Sequence, residues 1–270
     1  MGQDVRRVLT FECGGDLLGA SLDGVDGAPR PAAVLMVTGG TQTRAGSHRM
    51  YERLARSLSG AGYPCLRFDR RGVGDSEGED PGFRGSGPDI AAAAAALRGE
   101  VQEGARLIGF GLCDGATALA LHGAAAGLDA LILVNPWLVE MEAGEPAPAA
   151  IRQHYARQLA TGAGWKKLIT GAFDLRKLLG GLKRSADTAE SGLAAEAAAR
   201  LREVRLPSAV ILCEGDATAI AAERELKRRA FSGLIGIAQR IPTDSHSFAR
   251  PGDADALFGS CLALLRRLGG

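Results

Sequence analysis

The chain has no run of 18 or more apolar residues, so no membrane-spanning helix is expected. It has no excess of charge of either sign. Its 32 basic and 31 acidic residues leave a net +1, and its arginine clusters lack the interleaved aromatics of a nucleic-acid module. Neither a nucleic acid nor an anionic membrane is therefore expected as a partner. Its four histidines include no pair at zinc-ligand spacing, and no P-loop is present, so neither a metal nor a cofactor is expected. The five cysteines are odd in number and form no CxxC, which argues against a disulfide-stapled secreted domain and for a reducing cytoplasm. The opening stretch MGQDVRRVLTFECGG lacks the apolar core of a signal peptide, and position six is not the Ser or Thr that myristoylation would want.

What the chain does have is glycine, 38 residues of it, and one stretch where glycine is placed with unusual consequence. Residues 107–126 read LIGFGLCDGATALALHGAAA. An apolar run enters Gly111-Leu112-Cys113-Asp114-Gly115, and an alanine- and leucine-rich helical segment leaves it. This pattern predicts a strand, a very tight turn and a helix, with Cys113 at the apex. It is the G-x-S-x-G nucleophile elbow with cysteine in the serine position.

The rest of the chain alternates strand and helix patterns. Residues 7–13 and 17–22 read as a hairpin around Gly14-Gly15-Asp16. Residues 32–37 form a continuous apolar run, as a strand buried on both faces should. A helix is expected over 48–59, capped by Ser47, with Tyr51, Leu54, Ala55 and Leu58 on one face. Strands at 63–68, 130–134, 208–213 and 234–241 and helices at 89–97, 219–230 and 253–268 continue the rhythm. Such alternation implies a mostly parallel central sheet flanked by helices. The rhythm breaks over 140–204, where helical stretches at 149–161, 165–179 and 186–204 carry apolar residues beside basic ones such as Lys166, Lys167, Arg176 and Lys177. The domain reading is therefore a core over 1–139, a helical lid inserted after the sixth strand over 140–204, and the rest of the core over 205–270.

Ligands of such sheets bind beyond the carboxyl ends of the strands. Three residues fall in loops there, in the chain order nucleophile, acid, histidine: Cys113, Asp216 and His246. Cys113 would attack an acyl carbonyl, His246 would take the thiol proton or hold it as an ion pair and then protonate the leaving group, and Asp216 would fix the imidazole tautomer and favour imidazolium. The N–H of Asp114 would supply one oxyanion donor, and Gly40 or Thr41 the second. His48 and Trp137 are candidate substrate contacts. The Asp114 side chain has two open roles, binding a cationic substrate group or raising the thiol's pKa. Asp69 and Asp75 are expected to brace their own loop through backbone N–H groups. His122 is expected to be structural.

The stretches at 37–78 (VTGGTQTRAGSHRMYERLARSLSGAGYPCLRFDRRGVGDSEG), 109–120 (GFGLCDGATALA), 135–137 (NPW) and 214–219 (EGDATA) resemble the α/β-hydrolase superfamily. More narrowly, they resemble the hydrolases associated with the bacterial exosortase A system, type 1. The resemblance implies an α/β-hydrolase fold and a bacterial cytoplasmic protein acting near exopolysaccharide and protein-sorting machinery. With a cysteine nucleophile, esters and thioesters are better substrates than amides, because thiolate is itself a good leaving group. The expected activity is an esterase, thioesterase or acyltransferase working through a covalent acyl-enzyme, on a small-molecule or lipid- or saccharide-linked acyl substrate. A non-catalytic binding or scaffold protein on the same fold is the alternative, and a homodimer is left open.

Overall fold

The structure, a computed structural model, describes residues 6–24, 30–139 and 192–269. Among these residues eight strands form one sheet in the order β1-β2-β4-β3-β5-β6-β7-β8. The strands are β1 (Arg6–Cys13), β2 (Asp16–Asp23), β3 (Ala32–Val37), β4 (Cys65–Phe68), β5 (Arg106–Leu112), β6 (Ala130–Val134), β7 (Ser208–Cys213) and β8 (Ile235–Ile241). The first two pair antiparallel with each other, β2 pairs antiparallel with β4, and every later pairing is parallel.

Composition explains each strand's place. Strands β3, β6 and β7 are buried along their whole length, as strands covered on both faces must be. At the edge, β8 alternates half-buried and exposed residues until Ile241. The helices are α1 (Met50–Gly60), α2 (Gly82–Gly85), α3 (Gly87–Glu100), α4 (Asp114–His122), α5 (Gly192–Glu203), α6 (Ala217–Leu226) and α7 (Asp253–Leu268). They cover the sheet in groups, α1 beside α7, and α2 and α3 beside α4. This is the mostly parallel, helix-flanked α/β-hydrolase architecture that the sequence predicts.

Residues 140–191, and with them His154, the lid's basic residues and the helical stretches expected at 149–161 and 165–179, lie outside the described residues. Of the third stretch, expected over 186–204, the structure describes α5, whose Leu193, Ala194, Ala197, Ala198 and Leu201 join the core. Among the described residues no helix is long and apolar enough to cross a membrane.

The strand expected over 63–68 is confined to Cys65–Phe68, the helix expected over 219–230 lies at Ala217–Leu226, and the start of α1 is also corrected. The helix expected from 48 starts at Met50, and Ser47 does not cap it. Gly46, His48 and Arg49 all have positive φ (71°, 52° and 59°), so the chain coils left-handed just before the helix begins. Ser47 lies inside that coil, in a short 3-10 turn, and the first turn of α1 is braced instead by Arg49 pairing with Glu52.

The first strands are held by a buried ion cluster. Asp23 is fully buried and accepts from Arg67 Nη2 at 2.9 Å and Arg67 Nε at 3.1 Å, with Arg6 Nε at 2.7 Å on its other oxygen. Arg67 in turn donates to the Arg44 carbonyl at 3.0 Å, and Arg44 pairs with Asp69 at the start of the loop after β4. Removing one partner of a buried ion pair strands the other charge. Asp23→Asn is expected to destabilise the protein by about 3–5 kcal/mol in urea unfolding. A loss below about 1 kcal/mol would contradict this role for the cluster.

Candidate active site

Cys113 stands alone between β5 and α4, with φ 60° and ψ −125°. A residue with a Cβ rarely takes that conformation, and the strain persists only where the surroundings over-determine it. Here they do. A Cβ on Gly115 would come within 2.5 Å of the Val37 carbonyl, and one on Gly111 within 2.7 Å of the Ala116 nitrogen. The first turn of α4 thus lies directly against the end of β3, and only glycines fit the two flanking positions.

Hydrogen bonds complete the turn. The Cys113 N–H donates to Val134 at 2.9 Å, and its carbonyl accepts from Trp137 N–H at 3.2 Å and Thr117 N–H at 3.1 Å. Tyr51, fully buried on α1, donates its hydroxyl to the Val37 carbonyl and accepts from Leu112 N–H, both at 2.9 Å. One phenol therefore ties together the ends of β3 and β5, where the two loops of the site begin.

Asp216 and His246 come from the loops after β7 and β8. Asp216 caps α6, its Oδ1 accepting from Ala219 N–H at 2.9 Å, while Oδ2 lies 3.0 Å from His246 Nδ1. The carboxylate is therefore held by a helix end as it holds the ring. With Nδ1–H given to Asp216, Nε2 is the ring nitrogen left for chemistry. Cys113 is within hydrogen-bonding reach of the same ring.

The two loops are stitched together. Gly215 N–H donates to the Thr243 carbonyl at 3.1 Å, and the Thr243 hydroxyl donates to buried Asp253 on α7 at 2.9 Å. Asn135, fully buried at φ 42° after β6, accepts from Cys213 N–H at 2.9 Å and so fastens the strand that leads to Asp216.

Burial of the His246 ring opposes its charge, yet hydrogen bonds to Asp216 and Cys113, and attraction to both, outweigh it and push the ring up to about 9. All five cysteines are buried, and burial pushes the thiols of Cys13, Cys65, Cys213 and Cys261 up, Cys213 to about 11.

The other residues singled out from sequence fall as follows. Thr41 is exposed and Gly40 half-buried in the loop after β3. The Gly40 N–H donates to the Asp114 carboxylate, 2.8 Å from each oxygen. Trp137 is half-buried beside the elbow, its carbonyl accepting from the Thr117 hydroxyl at 2.6 Å. His48 is exposed in the left-handed coil before α1, and no hydrogen bond joins it to the site among the described residues. His122 Nε2–H donates to the Arg84 carbonyl, 2.9 Å away on α2. Asp69 does brace its loop, accepting from the N–H groups of Arg44 and Asp75. The Asp75 side chain does not; it pairs with Arg44 instead, because that guanidinium lies between the two carboxylates. Among the described residues no group of three or more His, Cys, Asp or Glu side chains could hold a metal ion.

Three residues at the site escaped the sequence reading. They are Tyr51, read only as core; Asn135, read only within a motif; and Arg70, whose guanidinium donates to the Gly40 carbonyl. A fully apolar helix face would have suited Tyr51 equally well, so its hydroxyl was the one available signal.

Comparison with known proteins agrees with this architecture. The model of the Alpha/beta hydrolase family matches residues 34–257. No curated protein matches the chain. Among solved structures, DcsB in complex with its substrate analogue is 16% identical at a TM-score of 0.67, covering 98% of this chain and 100% of that one. The Pyrococcus furiosus esterase Pf2001 is 16% identical at a TM-score of 0.65, covering 98% and 91%. XC6422 from Xanthomonas campestris, described as an a/b serine hydrolase without lid, is 18% identical at a TM-score of 0.61, covering 97% and 94%. At such identities the likeness speaks for the fold alone.

The raised histidine gives a direct test. A group whose folded pKa lies above its ordinary 6.5 contributes stability that is complete below about pH 6.5 and is lost as pH rises through about 9. The His246 ring resonance is expected to titrate near pH 9 by NMR, and to fall by a unit or more in Asp216→Asn, roughly the scale of one lost charge partner. A wild-type midpoint near 6.5 would contradict the pairing.

Proposed function

Because the chain belongs to the α/β hydrolase family, we propose that this enzyme is a cysteine-dependent acyl hydrolase acting on esters or thioesters through a covalent acyl-enzyme. The observation that carries the reading is the His246 ring, bonded on one side to Asp216 at 3.0 Å and within reach of Cys113 on the other. The strained elbow under Cys113 supports it, since strain of this kind persists where function needs a side chain projected.

The chemistry runs in two halves. With the thiol proton already held on His246 Nε2, the Cys113 sulfur forms a bond to the acyl carbon and the carbonyl π pair moves onto oxygen. The oxyanion collapses, the bond to the leaving alkoxide or thiolate breaks, and His246 returns its proton to that group. Water then attacks the thioester carbon with His246 as base, and Cys113 leaves to free the carboxylic acid. Asp216 holds the ring by its Nδ1 and favours the imidazolium. The Asp114 N–H and one N–H of the Gly40–Thr41 loop are the oxyanion donors. An alcohol or amine in place of water would make the same site an acyltransferase.

The finer assignment rests on resemblance. A bacterial cytoplasmic protein of the exosortase A system, acting on a small-molecule or lipid- or saccharide-linked acyl substrate, is consistent with the motifs at 37–78, 109–120, 135–137 and 214–219. His48 and Trp137 remain candidate substrate contacts in this reading. One observation favours a second reading, a non-catalytic binding protein: the Asp114 carboxylate places a negative charge on Gly40 N–H, where an oxyanion donor is expected.

Loss of the thiol separates the two readings. Cys113→Ala is expected to abolish hydrolysis of p-nitrophenyl esters and acyl thioesters while leaving the unfolding midpoint of the protein near that of wild type. One equivalent of iodoacetamide should inactivate in step with labelling of Cys113, since the His246 ring stands beside this thiol while burial raises the other four. Inactivation by labelling elsewhere, or full biological complementation by the alanine variant, would overturn the catalytic reading. For the wild type, kcat/KM is expected to fall as pH rises through about 9, when His246 loses the proton it gives to the leaving group. A profile flat through that range would contradict the role of His246 as acid.

A further inference from the structure

Gly40 is held from both sides by opposite charges. Its N–H is taken by the Asp114 carboxylate, 2.8 Å from each oxygen. Its carbonyl is taken by the Arg70 guanidinium. The approach on the Asp114 side is so close that a Cβ on neighbouring Gly39 would lie 2.1 Å from Asp114 Oδ1.

Arg70 is an unusual residue to find there. Its side chain is 3% exposed, its nearest carboxylate, Asp80, is 3.4 Å away, and its Nη1 is buried with no partner among the described residues. A buried guanidinium is costly unless fully paired, and a purely structural arginine would be expected to sit squarely on a carboxylate, as Arg67 does on Asp23. The tightest contact of Arg70 is instead a peptide oxygen of the loop that faces the elbow. The segment carrying Arg70 is itself rigidly placed. Asp69 N–H donates to the Gly19 carbonyl at 2.9 Å, and Arg71 N–H to buried Asp89 at 3.0 Å.

Holding the Gly40 carbonyl fixes more than Gly40. The peptide unit joining Gly40 to Thr41 is planar and trans, so the Thr41 N–H points opposite to the Gly40 carbonyl. A cation on that carbonyl also polarises the same peptide and strengthens its N–H as a donor. Among the described residues the Thr41 N–H meets no acceptor. We propose that Arg70 and Asp114 are positioning residues that clamp Gly40 from both sides, and so assign the loop's oxyanion donor to Thr41 N–H and not to Gly40 N–H. The assignment rests on the acyl-hydrolase reading and resolves its open choice between two donors. It also gives the Asp114 carboxylate a role: it anchors the loop by consuming the donor that is not used.

The test uses the full chain and four variants, with a p-nitrophenyl ester as substrate and a short aliphatic aldehyde as inhibitor. The aldehyde adds to the Cys113 thiol as a hemithioacetal whose oxygen stands where the oxyanion forms. Arg70→Met is expected to lower kcat by about 10- to 100-fold and to raise the aldehyde Ki by a similar factor, with KM changed less than about twofold. Arg70→Lys, which keeps the cation on the carbonyl, should recover most of the loss. Asp114→Leu releases the loop and should lower kcat about tenfold, and Asp114→Asn, which keeps an acceptor for Gly40 N–H, should recover most of that loss. Asp114 is only half-buried, so its variants remain informative if Arg70→Met does not fold. A kcat and Ki within about twofold of wild type in the folded Arg70→Met or Asp114→Leu protein would overturn the clamp. A rise in kcat for Asp114→Leu would overturn it too, since it would make Gly40 N–H the donor and Asp114 its plug. In those cases wild-type turnover still stands. A wild type that neither hydrolyses the ester nor binds the aldehyde at Cys113 overturns the clamp together with the hydrolase reading.

Discussion

The contact between the first turn of α4 and the end of β3 is the constraint on which the site depends. Gly115 against the Val37 carbonyl leaves no room for a side chain, so the helix begins abruptly and Cys113 absorbs the turn at φ 60°. That one junction points a thiol out of the sheet and brings the N-terminal end of α4 beside the loop after β3. It also lays Asp114 against Gly40. Local backbone strain is thus converted into the placement of several functional groups at once.

A second constraint works across the sheet. Asp216 is a helix cap and a histidine partner through different oxygens, so the ring is oriented by an element that α6 itself holds in place. Thr243 and Asp253 carry the same rigidity to the His246 loop from α7, and Asn135 carries it to the end of β7 from β6. The site is therefore fixed by short polar contacts among loop ends. The strands beneath supply a stiff apolar base, with β3, β6 and β7 buried along their full length.

Much of this was legible in the chain. Continuous apolar runs such as 32–37, 130–134 and 208–213 announce strands covered on both faces, and each was found within a residue of its expected place. The elbow was legible because its requirement is local: two glycines flanking one residue between a strand and a helix. The pairing of Asp216 with His246 was legible from their place in loops beyond the carboxyl ends of strands together with their chain order. What sequence did not reveal depends on partners far along the chain. Nothing near Arg67 shows that Asp23 will neutralise it, and nothing near Tyr51 shows that its hydroxyl will join two strand ends. Ser47 looks like a helix cap until the left-handed coil at His48 and Arg49 moves the start of the helix past it. The loop after β3 offered two equivalent N–H groups, and only the long-range approach of Asp114 and Arg70 makes them different.

The central claim is that Cys113 carries the acyl group between the two halves of the reaction, and intact-mass measurement on the millisecond-to-second scale tests it most directly. Protein mixed with a stoichiometric short-chain acyl thioester should gain one acyl mass and then lose it, with peptide mapping placing the group on Cys113. A His246→Ala protein should gain it far more slowly. Turnover of the thioester with no acyl mass on Cys113 at any time, or an acyl group on a different residue that decays at the rate of turnover, would contradict the account.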